Sequence, residues 1–214
     1  MRARRTLCVV ALLLLSSGGG LLGRRLYVEG KAFLAHLLIE RALALHLRDG
    51  APHRPWAWAD TYPIAVLTVD RLHVRCPVLA GASGTSLAFG AGHIDGTAPP
   101  NAPGHSVLAG HRDREFEFLR DLAPGDVLRL RTPGAVREYL VDGTGVVPGD
   151  DGTALQPTAG DRLTLVTCYP FGGLWRSPLR YVVTAAAREV KVSQAITNSS
   201  PPPAGPPGSV RHQY

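Results

Sequence analysis

The chain has 214 residues, 45% hydrophobic and 19% charged, and that length fits one ordinary domain with extra segments rather than two full cores. Its formal net charge of +6 is unevenly placed: residues 1–58 carry nine Lys/Arg against three Asp/Glu, whereas residues 59–214 carry fourteen of each. The body is therefore neutral, which argues against a nucleic-acid-binding domain with its basic face, and the excess at the amino end suits membrane phosphates.

Residues 6–23, TLCVVALLLLSSGGGLLG, hold no charge and lie between Arg2, Arg4, Arg5 and Arg24, Arg25. As a helix they would span about 27 Å, close to the roughly 30 Å core of a bilayer. A cleaved signal peptide and a retained anchor both fit such a run. No A-x-A-like site follows Leu22, so an uncleaved, single-pass signal anchor over residues 1–25 is expected. The richer basic cluster precedes it, which favours a cytoplasmic amino end and an exported body. Residues 26–55 are read as an amphipathic helix and linker. Leu34, Leu37, Leu38 and Leu45 recur at helical spacing, and Asp49-Gly50-Ala51-Pro52 stops the run. His36 and His46 are expected to be solvated. Trp56 and Trp58 follow in a Pro-rich link, suited either to a membrane interface or to packing on the domain.

From Tyr62 onward short β-runs alternate with Gly, Pro and Asp. The expected strands are 64–69, 72–79, 106–109, 127–131, 137–141, 145–147, 163–167 and 179–185, with short helical pieces at 86–89 and 114–122. Eight short strands in about 125 residues imply an all-β closed barrel or sandwich. The domain is bounded at 56–192. Residues 193–214, rich in Pro, Gly and Ser, are read as a disordered tail.

Three cysteines, Cys8, Cys76 and Cys168, show no metal-type spacing. Cys168 closes a β-run, Leu163 to Thr167, and Pro170 follows it. A thiol delivered to a strand end suits chemistry better than packing. A free thiol is only about 3% thiolate at neutral pH, so catalysis needs a base or a cation beside it. An oxyanion donor is needed as well. His111 leaves a second β-run through Gly110, within Ser106-Val-Leu-Ala-Gly-His-Arg-Asp. Arg180 opens the strand after the cysteine, and antiparallel neighbours place one strand's end beside the next one's start. Arginine cannot serve as a base, but its guanidinium donates to an oxyanion or a carbonyl. Other readings stand beside this one. They are a Cys76–Cys168 disulfide, a metal site from His93, His105, His111 and Cys168, and a rim salt bridge for Arg180.

Leu-Val-Thr-Cys at a strand end, Gly-His-Arg-Asp upstream and Pro-Leu-Arg-Tyr-Val-Val downstream resemble the sortase family, most closely its Gram-negative subgroup, class GN. Trp-Ala-Asp-Thr, Val-Leu-Ala-Gly-Ala-Ser-Gly and Phe-Gly-Ala-Gly-His extend the resemblance from about Trp56 to Ala186. It implies an eight-stranded sortase barrel and a membrane-anchored cysteine transpeptidase. Cys168 would be the nucleophile, His111 the general acid/base and Arg180 the oxyanion or substrate-carbonyl donor. Thr167 would help line the substrate groove, and His93 could line it near the thiol. The implied partners are an exported protein with a C-terminal LPXTG-like sorting signal, an amine acceptor or water, and the inner membrane. A monomer with a periplasmic catalytic domain and no cofactor is expected. A sortase-like barrel that only binds is the alternative. Two departures from the subgroup stand out: His105 occupies a position expected to hold Asn and could compete as a base, although a surface position is favoured for it, and the loop at 172–178 looks unlike the usual one.

Overall fold

In the computed structural model, residues 2–149, 152, 156, 160–173, 175 and 177–188 are described, with side chains from Leu15 onward. The expected tail at 193–214 lies outside them.

A single helix, α1 (Arg2–Asp49), replaces the separate anchor and amphipathic helix expected from the sequence. No proline interrupts these residues, and strong helix formers carry the helix across Gly18-Gly19-Gly20. Among the described residues no helix is long and apolar enough to cross a membrane. The helix stops where expected. Gly50 adopts φ 73°, and its N–H donates to the His46 carbonyl at 2.8 Å.

The face that α1 buries differs from the expected one. Ile39, Ala42, Leu43 and His46 are buried, at i, i+3, i+4 and i+7, whereas Leu34 and Leu37 are exposed. The helical period was legible but its phase was not, because the surface that buries Ile39, Ala42 and Leu43, with Glu40 paired to Arg75 beside it, exists only once the barrel has formed. His46 is consequently not solvated. Its Nδ1–H donates to the Ala51 carbonyl at 2.8 Å and closes the helix end.

Eight strands form a closed barrel: β1 (Pro63–Val69), β2 (Val74–Leu79), β3 (Ala91–His93), β4 (His105–Ala109), β5 (Val127–Thr132), β6 (Ala135–Pro148), β7 (Arg162–Cys168) and β8 (Leu179–Ala187). Their order around the ring is β1-β2-β3-β4-β7-β8-β6-β5. Two pairs are parallel, β2 with β3 and β4 with β7. The expected number of strands is met with different members. The two runs 137–141 and 145–147 form one strand, β6, whose register slips between Val141 and Gly143. β3 has only three residues, Ala-Gly-His, none with β-branched character to announce it. The expected strand start at Leu72 yields to a 3-10 turn, Asp70–Leu72, and His73 with φ 52° begins the turn into β2. A short helix, α2 (Gly84–Leu87), is capped by the Ser83 hydroxyl.

Inward positions alternate along the strands. Leu67, Leu108, Leu128, Leu130, Leu163, Leu165 and Val183 fill the barrel, and Phe116 and Leu119 join them from the connection between β4 and β5. Part of that connection is a 3-10 turn, Glu117–Asp121. Trp56 packs edge-on against Phe89 at 5.1 Å, whereas Trp58 is 84% exposed.

Candidate active site

Along β7, Leu163, Leu165 and Thr167 face inward, and Thr164, Val166 and Cys168 share the other face, where Thr164 is covered and Cys168 is half-buried. Cys168 is half-buried and its thiol is free, as is that of Cys76. The strand ends at Cys168 because Tyr169-Pro170 follows: proline has no N–H to continue the ladder.

β8 returns antiparallel, and Cys168 lies directly opposite Arg180. Directly paired residues share one face, with Cβ atoms about 4.5–5.5 Å apart. The Tyr169 N–H donates to the Leu179 carbonyl at 3.0 Å and holds this end of the pair closed. The Arg180 Nη1 donates to the carbonyls of Ser177 (3.1 Å) and Leu179 (3.0 Å). Both contacts use Nη1. A guanidinium has five N–H donors, and among the described residues the Nε–H and the Nη2 hydrogens have no hydrogen-bond acceptor. Gly149 gives the guanidinium room: a Cβ there would lie 2.9 Å from the arginine Cζ.

β4 lies on the other side of β7, parallel to it, with Ala109 opposite Val166. The ladder runs one step further, where the Gly110 N–H donates to the Val166 carbonyl at 3.2 Å. The next same-face position beyond Ala109 is His111, and the next beyond Val166 is Cys168. The Gly110 contact therefore brings the backbone at His111 alongside the end of β7 that carries Cys168. His111 is exposed, and its carbonyl accepts the Phe116 N–H at 3.0 Å, which turns the chain sharply after it. Gly110 is small for a packing reason as well as a bending one: a Cβ there would lie 2.6 Å from the Phe116 ring.

Thr167 is 2% exposed and does not present its hydroxyl to an open groove. The Oγ1 donates to the Gly110 carbonyl at 2.7 Å, so it braces the stem of His111. His93 is not brought to this rim. It pairs across from Leu108, its Nε2 contacts the Ala98 carbonyl at 2.9 Å and the Thr97 hydroxyl at 3.0 Å, and it lines a separate cavity of about 500 Å³ with His46, Tyr62 and Asp95. His105 sits at the far end of β4 and is buried, against the surface position favoured from sequence. Its Nδ1 and Nε2 contact the Gln156 carbonyl (2.8 Å) and the Thr164 hydroxyl (2.7 Å), so both ring nitrogens are engaged away from the thiol.

Two further features escaped the sequence reading. Tyr169, Phe171 and Tyr181 cluster beside Cys168, with Phe171 and Tyr181 centroids 5.1 Å apart. The aromatic flanks of Cys168-Tyr-Pro-Phe were the available signal. Arg112, next to His111, reaches the loop after β7 and donates through Nη2 to the Gly173 carbonyl and, at 3.2 Å, to the Trp175 carbonyl. Nothing in the sequence distinguished it from a solvated arginine.

The family model for the sortase domain matches residues 67–188. Sortase D of Bacillus subtilis (strain 168) is 31% identical over 119 residues, which are 55% of this chain and 60% of that protein. Sortase A from Corynebacterium diphtheriae shares the fold with a TM-score of 0.56 at 27% identity, over 64% of this chain and 65% of that one. A Clostridium perfringens sortase D5 transpeptidase has a TM-score of 0.60 and covers 72% of this chain and 98% of its own, and its 20% identity speaks to the fold alone. The chain spans less than two thirds of the length of the Bacillus and Corynebacterium relatives. With the barrel closed in eight strands and the domain match running from β1 to the end of β8, this chain belongs to the sortase family.

Proposed function

We propose that the chain is a cysteine transpeptidase of exported proteins, with Cys168 as nucleophile, His111 as general acid/base and Arg180 as the oxyanion donor. The Cys168–Arg180 pairing across β7 and β8 carries this reading, since it sets a thiol and a guanidinium on one face of one rim. His111 takes the Cys168 S–H proton as the sulfur attacks the Thr carbonyl carbon of an LPXTG-like sorting signal. The negative charge that develops on the oxygen meets the Arg180 N–H groups. His111 gives a proton to the departing amine as the C–N bond breaks, and a thioester remains on Cys168. A primary amine, or water, then attacks the thioester. His111 takes a proton from that amine or water and passes it to the sulfur as the new amide or acid leaves. The acceptor receives no cofactor chemistry in this scheme; every step uses the chain's own side chains.

Attachment to the inner membrane with the barrel in the periplasm is part of the proposal. The uncharged run at 6–23 between two arginine clusters supports it. So do the exposed apolar side chains Leu21, Leu22 and Leu26 on α1. The Gly-His-Arg-Asp and Val-Thr-Cys-Tyr-Pro-Phe motifs support placement in the Gram-negative subgroup.

The test is incubation of the purified chain with a library of sorting-signal peptides, with and without an amine acceptor. Cleavage is expected to vanish in Cys168→Ala. In Arg180→Ala, kcat/KM is expected to fall about a hundredfold or more, the loss usual for one oxyanion donor. Cleavage that persists in Cys168→Ala would overturn the proposal.

A further inference from the structure

Arg112 is an arginine in an unusual setting. Its side chain is only 11% exposed, although it follows the exposed His111. Its nearest carboxylate is Asp113, at 3.6 Å, and that group is 62% exposed. The guanidinium is instead embedded in loop backbone. Nη2 donates to the Gly173 carbonyl and to the Trp175 carbonyl at 3.2 Å. Nη1 is buried with no hydrogen-bond partner among the described residues. Among the described residues this charge, taken out of water, is met by the two loop carbonyls and by the exposed Asp113 carboxylate.

The two ends of this contact belong to different parts of the rim. Arg112 adjoins His111, which follows β4. Gly173 and Trp175 lie in the loop between β7 and β8, which begins at Cys168 and ends before Arg180. The loop is shaped to receive the guanidinium. Gly173 folds its N–H onto the Pro170 carbonyl at 3.3 Å. A Cβ on Gly173 would lie 3.3 Å from the Arg112 Nη1 and 3.1 Å from the Pro170 oxygen, so a side chain there would press on the contact. The same loop projects Trp175, 83% exposed.

We infer that Arg112 is a positioning residue that holds Gly173 and Trp175 in place after Cys168, so that these two residues form a fixed wall for the peptide substrate. This inference rests on the transpeptidase reading for its substrate. Arg112 touches no reacting atom, so its loss weakens peptide binding and leaves the thiol chemistry intact. One guanidinium serves two carbonyls because its donors diverge in a rigid fork. A lysine ammonium offers a point charge that reaches one of them well.

The test uses the full chain and the variants Arg112→Ala, Arg112→Lys and Gly173→Ala. Three measurements are made: KM and kcat for a cleaved sorting peptide, limited proteolysis between residues 169 and 178, and the pH profile of iodoacetamide alkylation at Cys168. Arg112→Ala is expected to raise KM about tenfold, the scale of a lost charge-assisted hydrogen bond. Its kcat should stay within about threefold, its loop should be cut faster, and its alkylation profile should overlay the wild type. Arg112→Lys should fall between the two. Gly173→Ala should weaken the same contact and add little in the Arg112→Ala background, as coupled residues do.

Wild-type KM and wild-type loop proteolysis in Arg112→Ala would overturn the inference. So would an altered alkylation profile, which would place Arg112 in the chemistry itself. If Arg112→Ala does not fold, Arg112→Lys and Gly173→Ala decide, and wild-type values in both overturn it. If the wild type cleaves no peptide, the transpeptidase reading fails separately, and unchanged loop proteolysis in the variants would still defeat the lock.

Discussion

Cys76 lies on β2, 4% exposed, with its Sγ–H donating to the Pro77 carbonyl at 3.6 Å. Burial pushes its pKa up to about 12, so the thiol stays protonated at neutral and mildly alkaline pH. Cys168 stands half-exposed at a strand end. Iodoacetamide at about pH 8 should therefore alkylate Cys168 in the folded chain and reach Cys76 only after denaturation. Peptide mapping by mass checks this, and comparable native labelling of the two would contradict the packing described here. Which residues were legible follows from how local their signals are. Cys168, His111 and Arg180 stand at strand ends marked by Gly or Pro, so a reader of the chain can place them. The roles of Thr167 and Arg112 depend on partners 57 and 61 residues away, and no local pattern encodes those. His105 was misjudged for the same reason, since its partners Thr164 and Gln156 arrive from across the β4–β7 pair.

Strand ends position the site, and the link between β4 and β7 is the most sensitive of them. Gly110 continues the parallel ladder while Phe116 folds back over it. Gly110→Ala would drive a methyl group to 2.6 Å from the Phe116 ring. Overpacking of this kind costs about 1–3 kcal/mol. A lower midpoint in urea is the expected outcome, with a matching loss of activity as His111 shifts. An unchanged midpoint would mean that Phe116 moves aside at no cost. Elements with strong β composition, such as Leu163 to Thr167, were readable from sequence. β3 was not, because its three residues become a strand only by lying between β2 and β4. The break inside β6 was overread: the Asp142-Gly143 pair looks like a turn, but the strand absorbs it as a register slip against β8.

The closed barrel is braced from outside by ion pairs that join distant parts of the chain. Arg71 pairs with Asp126 at 2.6 Å and ties the turn before β2 to the start of β5. Asp161, just before β7, accepts the Gly104 N–H at 2.7 Å and pairs with Arg137 of β6 at 2.9 Å. The Gly104 N–H, then the Arg137 charge, hold the Asp161 carboxyl below its ordinary value of 3.8. The Arg71 hydrogen bond does the same for Asp126. A carboxyl with a lowered folded pKa contributes stability that is complete above its unfolded value and is lost as pH falls through the folded one. The urea midpoint is therefore expected to drop as the pH falls below about 4. Asp161→Asn should show a shallower drop over that range, and equal slopes would remove Asp161 from the account. At this scale the sequence conveyed an eight-stranded closed sheet and a helix ending near Asp49. The rotation of α1 was hidden, because the surface that covers Ile39, Ala42 and Leu43 exists only once the barrel has closed.

Closure also governs how a guest peptide can be read. An open sheet lets an incoming segment join as one more strand, hydrogen-bonded through its main chain without regard to its side chains. Here every strand has two neighbours around the ring, so strand addition is confined to the stretches that the register leaves bare, such as residues 143–148 of β6, which pair with β8 alone among the described residues. Elsewhere an incoming peptide would meet side chains and rim loops in place of an open sheet edge.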